Sequence, residues 1–258
     1  MFDRLIKFAK SVFGRPSPTP EDHPVRVLFI GNSYTHMNEM PEMVQKLADA
    51  AGLNAYIDKS AQSGASFKIH SERKEMYEAI QSRNWDYIIL QGYSRELTHS
   101  EAHIDKATIP YLDKIVAFIR KHNPATRVLF YMTWGYESGF SERGEINTFE
   151  KMTDTIQDRY MYLSSVYDFP VSPVGCVWKH VKETTSIDLY ADDRAHPSRK
   201  GSFLIANAFF EAIFGIPAPT GVSMIDLQEA EQIRESVKHV MKDRSRYLLD
   251  RMNVTPKK

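Results

Sequence analysis

The chain has 258 residues, 42% of them hydrophobic and 26% charged, which suits one large domain with a sizeable core of its own. Lys plus Arg and Asp plus Glu both number 33, for a formal net charge of zero, whereas a protein that grips nucleic acid by neutralising phosphates would carry a basic excess. The single cysteine, Cys176, excludes an internal disulfide and any multi-cysteine zinc site, and no apolar run approaches the roughly 18 residues needed to span a membrane.

Residues 1–14 place Phe2, Leu5, Ile6, Ala9, Val12 and Phe13 on one face at helical spacing. Asp3, Arg4, Lys7 and Lys10 interrupt every apolar stretch, so no export signal is read here and a cytoplasmic location is expected. The segment is expected to be a short amphipathic helix docked on its own domain; the alternative is a basic helix resting weakly on a membrane surface. Residues 15–24, RPSPTPEDHP, read as a proline-rich linker. The division expected is therefore an N-terminal helix and linker at 1–23, followed by one domain at 24–258.

Within that domain short apolar runs at 25–30, 55–57, 87–90, 127–132 and 171–177 read as strands. Most are continuously apolar, as strands covered on both faces must be. Between them lie helical patterns. Met40, Met43, Val44, Leu47, Ala48 and Ala51 follow the i, i+3, i+4, i+7 rule, with Pro41 near the start and Gly52 as the stop. Similar patterns occupy 67–82, 106–122, 147–167, 198–214 and 226–243. This alternation predicts an open, parallel five-stranded sheet with helices on both faces. In such sheets ligands bind outside the carboxyl ends of the strands, so the residues just after each strand matter most.

After the first strand stands Gly31-Asn32-Ser33-Tyr34-Thr35, a serine on a sharp turn with backbone N–H groups near its hydroxyl. Far downstream, Asp193 precedes His196 by three residues on a constrained loop, with Ser198 as an N-cap for the helix that follows. An aspartate so placed can orient an imidazole while it accepts a serine proton. Asp192 is the alternative orienting acid, but the three-residue spacing favours Asp193. Tyr34, Trp134, Tyr136 and Glu137 are candidates for the pocket wall. His99 and His103, with Glu101 between them, do not form the H-E-x-x-H zinc pattern and read as a solvated surface. Cys176 falls in a strand pattern and reads as a small buried apolar residue. No phosphate loop and no G-x-G-x-x-G fingerprint occurs.

Three phrases together, FIGNSYT at 29–35, AQSGAS at 61–66 and DRAHPS at 193–198, resemble the SGNH (GDSL-type) hydrolases. The resemblance runs from about residue 25 to 214 and includes SPVG at 172–175 and HPSxxG at 196–201. In detail it is similar to a bacterial subgroup whose first block reads GNSYT. It implies a flavodoxin-like three-layer α/β/α sandwich and ester hydrolysis through an acyl-serine, with no metal or other cofactor. Carried over by position, Ser33 is the nucleophile, His196 the general base and Asp193 its partner, while the Ser33 and Gly64 N–H groups serve the oxyanion.

The third block departs from the family, which places an asparagine there. Here the strand ends Leu90-Gln91-Gly92-Tyr93-Ser94, similar to the Gln-Gly-Glu-Ser phrase of carbohydrate-deacetylating relatives. Gln91 is the expected third oxyanion donor and Ser94 the second choice; the alternative for Gln91 is that its amide only ties the strand end to a neighbouring loop. The expected activity is deacylation of a small acyl ester, with an O-acetylated sugar as one candidate substrate. The rival is a catalytically silent module that recognises a glycan or acyl group in the same cleft.

Overall fold

The structure is a computed structural model describing residues 23–222 and 224–252, so the expected N-terminal helix lies outside the described residues. Five parallel strands, β1 (Val25–Gly31), β2 (Ala55–Ala61), β3 (Tyr87–Leu90), β4 (Arg127–Tyr131) and β5 (Val171–Ser172), form one sheet in the order β2-β1-β3-β4-β5. The helices are α1 (Ser33–His36), α2 (Met40–Ala50), α3 (Phe67–Glu72), α4 (Lys74–Gln81), α5 (Glu101–Ala107), α6 (Ile109–His122), α7 (Phe149–Tyr167), α8 (Val174–Thr184), α9 (Arg199–Phe214) and α10 (Leu227–Met241). The result is the α/β sandwich expected from the alternating pattern. Helices α2, α8, α9 and α10 pack with one another as one layer, and α3 to α6 make another. Among the described residues no helix is long and apolar enough to cross a membrane.

Burial explains which strands are legible. Every residue of β3 is buried, as are the last four of β4, so their runs are unbroken. The edge strand β2 is only half-buried and carries Asp58, Lys59 and Ser60. Its apolar stretch stops at Ile57, and pairing with β1 extends the strand to Ala61. At the centre, Phe209 of α9 meets Phe29 of β1 and Tyr131 of β4 edge-on at 4.9 and 4.8 Å. A helix seated over the middle of a sheet is apolar nearly all round, and α9 is.

The expected strand at 171–177 is corrected. Only Val171 and Ser172 pair with β4; Pro173 has no N–H to offer the ladder, and α8 begins at Val174. Val174, Val177, Trp178 and Val181 are buried at i, i+3, i+4, i+7, so Cys176 lies half-buried on a helix. The pattern at 106–122 likewise divides: α5 ends at Ala107, and Pro110 opens a new helix, α6, in its first turn. The pattern at 67–82 breaks at Arg73, where neither Pro nor Gly intervenes. There the Tyr77 hydroxyl donates to the freed Ser71 carbonyl at 2.7 Å.

One core group makes the fold sensitive to acid. His70 on α3 is fully buried; burial first, and then the positive charge of Arg73, hold its pKa down at about 4. A base whose folded pKa is depressed stabilises the fold above its unfolded value of about 6.5, and that stability is lost as pH falls from there toward 4. The loss amounts to about 3 kcal/mol across that window. We expect denaturant titrations of His70→Phe to show a much flatter stability between pH 6.5 and pH 4 than wild type; parallel curves would show that His70 carries none of the acid sensitivity.

Candidate active site

The strand order reverses direction at β1. From β1 the chain crosses to β2 on one side, then returns past β1 to β3, and the carboxyl ends of β1 and β3 diverge there. Such a switch point opens a crevice between the departing loops. A cleft of about 490 Å³ lies in this region, with Ser33, Gly64, Ser94 and His196 among its walls.

The turn after β1 is built around close backbone approach. A Cβ on Gly31 would stand 2.1 Å from Thr35 Oγ1 and 2.5 Å from Gln91 Oε1, so no larger residue fits. Asn32 is the N-cap of α1, accepting from the Tyr34 N–H at 3.0 Å. Ser33 is then the first helical residue, whose N–H has no partner within a helix.

Across the cleft, Gly64 adopts φ +71, a conformation that favours glycine. Neither the Ser33 nor the Gly64 N–H donates to another group among the described residues. Both are free to serve a ligand oxygen.

Ser33 Oγ lies 2.8 Å from His196 Nε2, and His196 Nδ1 is bonded to Asp193 Oδ2. The other Asp193 oxygen accepts the N–H groups of Ala195 and His196 at 3.1 and 2.9 Å. Burial pushes the Asp193 carboxyl up, but these backbone donors and the imidazole outweigh it and hold the group below the usual carboxylate range. An ionised carboxylate only accepts, so it holds the proton on Nδ1 and leaves Nε2 to take the serine hydroxyl. Asp192 is exposed, beside rather than within this set.

The loop that carries His196 is locked on several sides. Arg194, with φ +57, forks onto Glu137 and reaches Asp188 at 2.8 Å. Hydrogen bonds from Arg194 lead over burial in drawing the Glu137 carboxyl down. Trp134 is fully buried and does not line the cleft. It is stacked between Tyr34 at 4.4 Å and Trp178 at 3.9 Å, and its indole N–H donates to the Ala195 carbonyl at 3.2 Å. Tyr34 and Tyr136 do face the cleft.

Asn38, in the left-handed conformation that asparagine tolerates, donates to the Pro197 carbonyl at 3.0 Å and joins the Ser33 segment to the histidine loop. His36 also lines the cleft, 2.9 Å from Ser63 Oγ. Neither residue carries a sequence signal for these partners, because the contacts span long stretches of chain.

Gln91 is not directed as the third-block reading expects. It is fully buried beneath the turn, and its Nε2 donates to Asn32 Oδ1 at 2.8 Å and to the Gly92 carbonyl at 2.6 Å. Its Oε1 accepts from the Asn32 N–H at 2.8 Å and the Thr35 hydroxyl at 2.9 Å. With both amide hydrogens engaged, nothing remains to reach the cleft. The second candidate, Ser94, does line the cleft, with its hydroxyl 2.8 Å from that of Tyr136.

Elsewhere, His99 and His103 stack at 4.3 Å. Among the described residues no group of three or more His, Cys, Asp or Glu side chains is arranged to hold a metal ion.

No family model and no curated protein matches the chain by sequence. Solved structures match it in fold. A protein of Slackia heliotrinireducens assigned as an SGNH hydrolase is 22% identical with a TM-score of 0.60, covering 73% of this chain and 98% of its own. A DUF4886 family protein from Bacteroides uniformis is 19% identical with a TM-score of 0.68, covering 91% and 98%. An acetyl xylan esterase from Geobacillus stearothermophilus is 16% identical with a TM-score of 0.54, covering 72% and 93%. The shared architecture is that of the SGNH hydrolase fold.

The Gln91 arrangement makes a stability claim. Gln91→Ala should lower the free energy of unfolding by about 3 kcal/mol, since it strands several buried polar groups of the Ser33 turn at once. Chemical denaturation decides the point: an unchanged midpoint would mean the turn holds without this amide.

Proposed function

We propose that the chain is a serine esterase of the SGNH type, in the subgroup with a GNSYT first block, that deacylates a small acyl ester through an acyl-serine intermediate. The observation that carries this reading is the continuous chain of hydrogen bonds from Ser33 Oγ through His196 to Asp193 at the switch-point cleft. As Ser33 attacks the ester carbonyl, Nε2 of His196 takes the hydroxyl proton. The Ser33 and Gly64 N–H groups donate to the oxyanion that forms, with the Ser94 hydroxyl as third donor in place of the Gln91 amide. Collapse expels the alkoxide, which takes the proton from His196, and water then repeats the sequence on the acyl-enzyme to release the acid and regenerate Ser33.

A cleft of about 490 Å³, walled partly by Tyr34 and Tyr136, suits a short acyl group on a ring-bearing alcohol. An O-acetylated carbohydrate meets that description, and acetyl xylan esterases are among the structural neighbours.

A fluorophosphonate probe should label the protein once, and Ser33→Ala should abolish both labelling and p-nitrophenyl acetate turnover. Labelling that survives in Ser33→Ala would remove the central claim. The silent-module alternative predicts no turnover by wild type at all.

The orienting acid and the third donor are tested separately. Asp193→Asn should lower kcat by about 10⁴-fold, the cost of this change in a serine protease triad, whereas Asp192→Asn should stay close to wild type. Ser94→Ala should lower kcat by about 10²-fold with little change in KM, because the oxyanion exists only in the transition state. A ranking with Asp192→Asn the more damaged, or an unchanged kcat for Ser94→Ala, would reassign the respective role.

A further inference from the structure

A second cleft, of about 370 Å³, adjoins the first at Tyr93, which lines both. Its character differs. Each cleft has one carboxylate among its walls, Asp193 in the first and Glu96 in the second, but the first has no Lys or Arg whereas the second presents Lys68, Arg95 and Arg143 together with His99 and His103. In a chain of zero formal charge this is local patterning and not general basicity.

Arg95 is held ready for a ligand. Its guanidinium lies 4.3 Å over the ring of Phe140 and donates to the Tyr93 hydroxyl at 3.1 Å. Neither Arg95 nor Lys68 forms an ion pair with a carboxylate among the described residues; Lys68 lies 5.8 Å over the ring of Tyr111. Arg143 is already engaged, by Glu145 at 2.7 Å and the Thr98 carbonyl at 2.8 Å, so it adds charge more than donors.

Two carboxylates bear on the cleft. Glu142 lies near enough to Arg95 to act on its charge. Glu96 accepts the N–H groups of Phe67 and Tyr93, both at 3.0 Å, and burial pushes its carboxyl up to about 7, which weakens its offset to the cations. His99 records the local field: burial first, and then its neighbours His103, Arg143 and Arg95, hold its pKa down against the opposing pull of Glu145.

We propose that this second cleft is an anion-binding subsite of the active site, so that the substrate is an ester bearing a carboxylate or phosphate beyond the scissile bond, recognised chiefly by Arg95 and Lys68. The proposal rests on the esterase reading and adds its substrate class. The planar guanidinium fork matches either anion in a bidentate manner, and its stacked, tethered position reduces the entropy lost on binding. Adjacent residues, Ser94 and Arg95, thus serve neighbouring clefts: one the reacting carbonyl, the other the distant charge.

Matched ester pairs test it. p-Nitrophenyl monoesters of succinate, glutarate and adipate are compared with straight-chain esters of equal length, and acetyl esters of hydroxy acids with those of the corresponding alcohols. On at least one side of the ester, wild type should prefer the anionic member by about tenfold or more in kcat/KM at low salt. That ratio should collapse toward one in Arg95→Gln/Lys68→Gln and fall only partway in Arg95→Lys, which keeps the charge but loses the planar fork. Ratios at or below one in wild type on both sides, or a ratio untouched in the double variant, would overturn the proposal.

Calorimetry on Ser33→Ala with succinate and with inorganic phosphate reads the subsite without catalysis. Saturable binding that disappears when Arg95→Gln is added upholds it, and the tighter of the two ligands identifies the anion. If wild type hydrolyses no ester, the esterase reading fails, and this binding arm alone decides the subsite.

Discussion

Beneath Ser33, a buried amide ties together two strands that the chain order drives apart. β1 and β3 are neighbours in the sheet, yet the loops that leave them diverge, and the divergence is what creates the cleft. Diverging loops invite movement. Gln91 counters this by presenting its oxygen to the Asn32 N–H and Thr35 hydroxyl and its nitrogen to Asn32 Oδ1 and the Gly92 carbonyl. All of these groups are out of water, so breaking one leaves a polar atom that nothing replaces. The same hydrogen bonds that forbid Gln91 a place in the cleft hold Ser33 at its edge.

The histidine is brought to this rigid turn by a different kind of contact. Ser33 and His196 are 163 residues apart, and the loop carrying His196 is itself partly exposed. Flat aromatic packing supplies the rigidity: Tyr34, adjacent to Ser33, stacks on Trp134, which stacks on Trp178, and the Trp134 indole N–H holds the carbonyl of Ala195, adjacent to His196. Stacked rings have little freedom to slide without losing buried area. Asn38 adds a direct tie to Pro197. Arg194, with Glu137 and Asp188, closes the outer side of the loop, where an ion-pair network tolerates the water that the stack excludes.

One short segment after β3 therefore divides its work by side chain. Gln91 turns inward and supports the turn, Ser94 faces the cleft that Ser33 lines, and Arg95 and Glu96 face the second one. Residues 91–95 follow no regular period before a single 3₁₀ turn opens at Glu96, so each can take its own direction. That freedom lets four nearby residues serve three surroundings, and no period in the sequence says which way each of them points.

What the sequence by itself determined is the part governed by local chemistry and periodicity. Unbroken apolar runs mark β1, β3 and β4 because both faces of the sheet are covered; Pro41, Gly52 and Ser198 mark helix ends; and Asp193 lies within three residues of His196, a spacing at which one turn of chain brings carboxylate and imidazole together. The tertiary structure decided whatever depends on a partner distant in the chain. It ended β5 at Pro173 and made the apolar run beyond it a helix, because a continuous apolar stretch satisfies a buried strand and a buried helix equally well. It placed Trp134 behind the cleft wall and not in it, since only the neighbouring rings of Tyr34 and Trp178 determine which face of an indole is covered. It turned Gln91 away from the cleft for the same reason: an amide donates toward whichever acceptors surround it, and one of the two that Gln91 meets, Asn32 Oδ1, belongs to a turn 59 residues earlier in the chain.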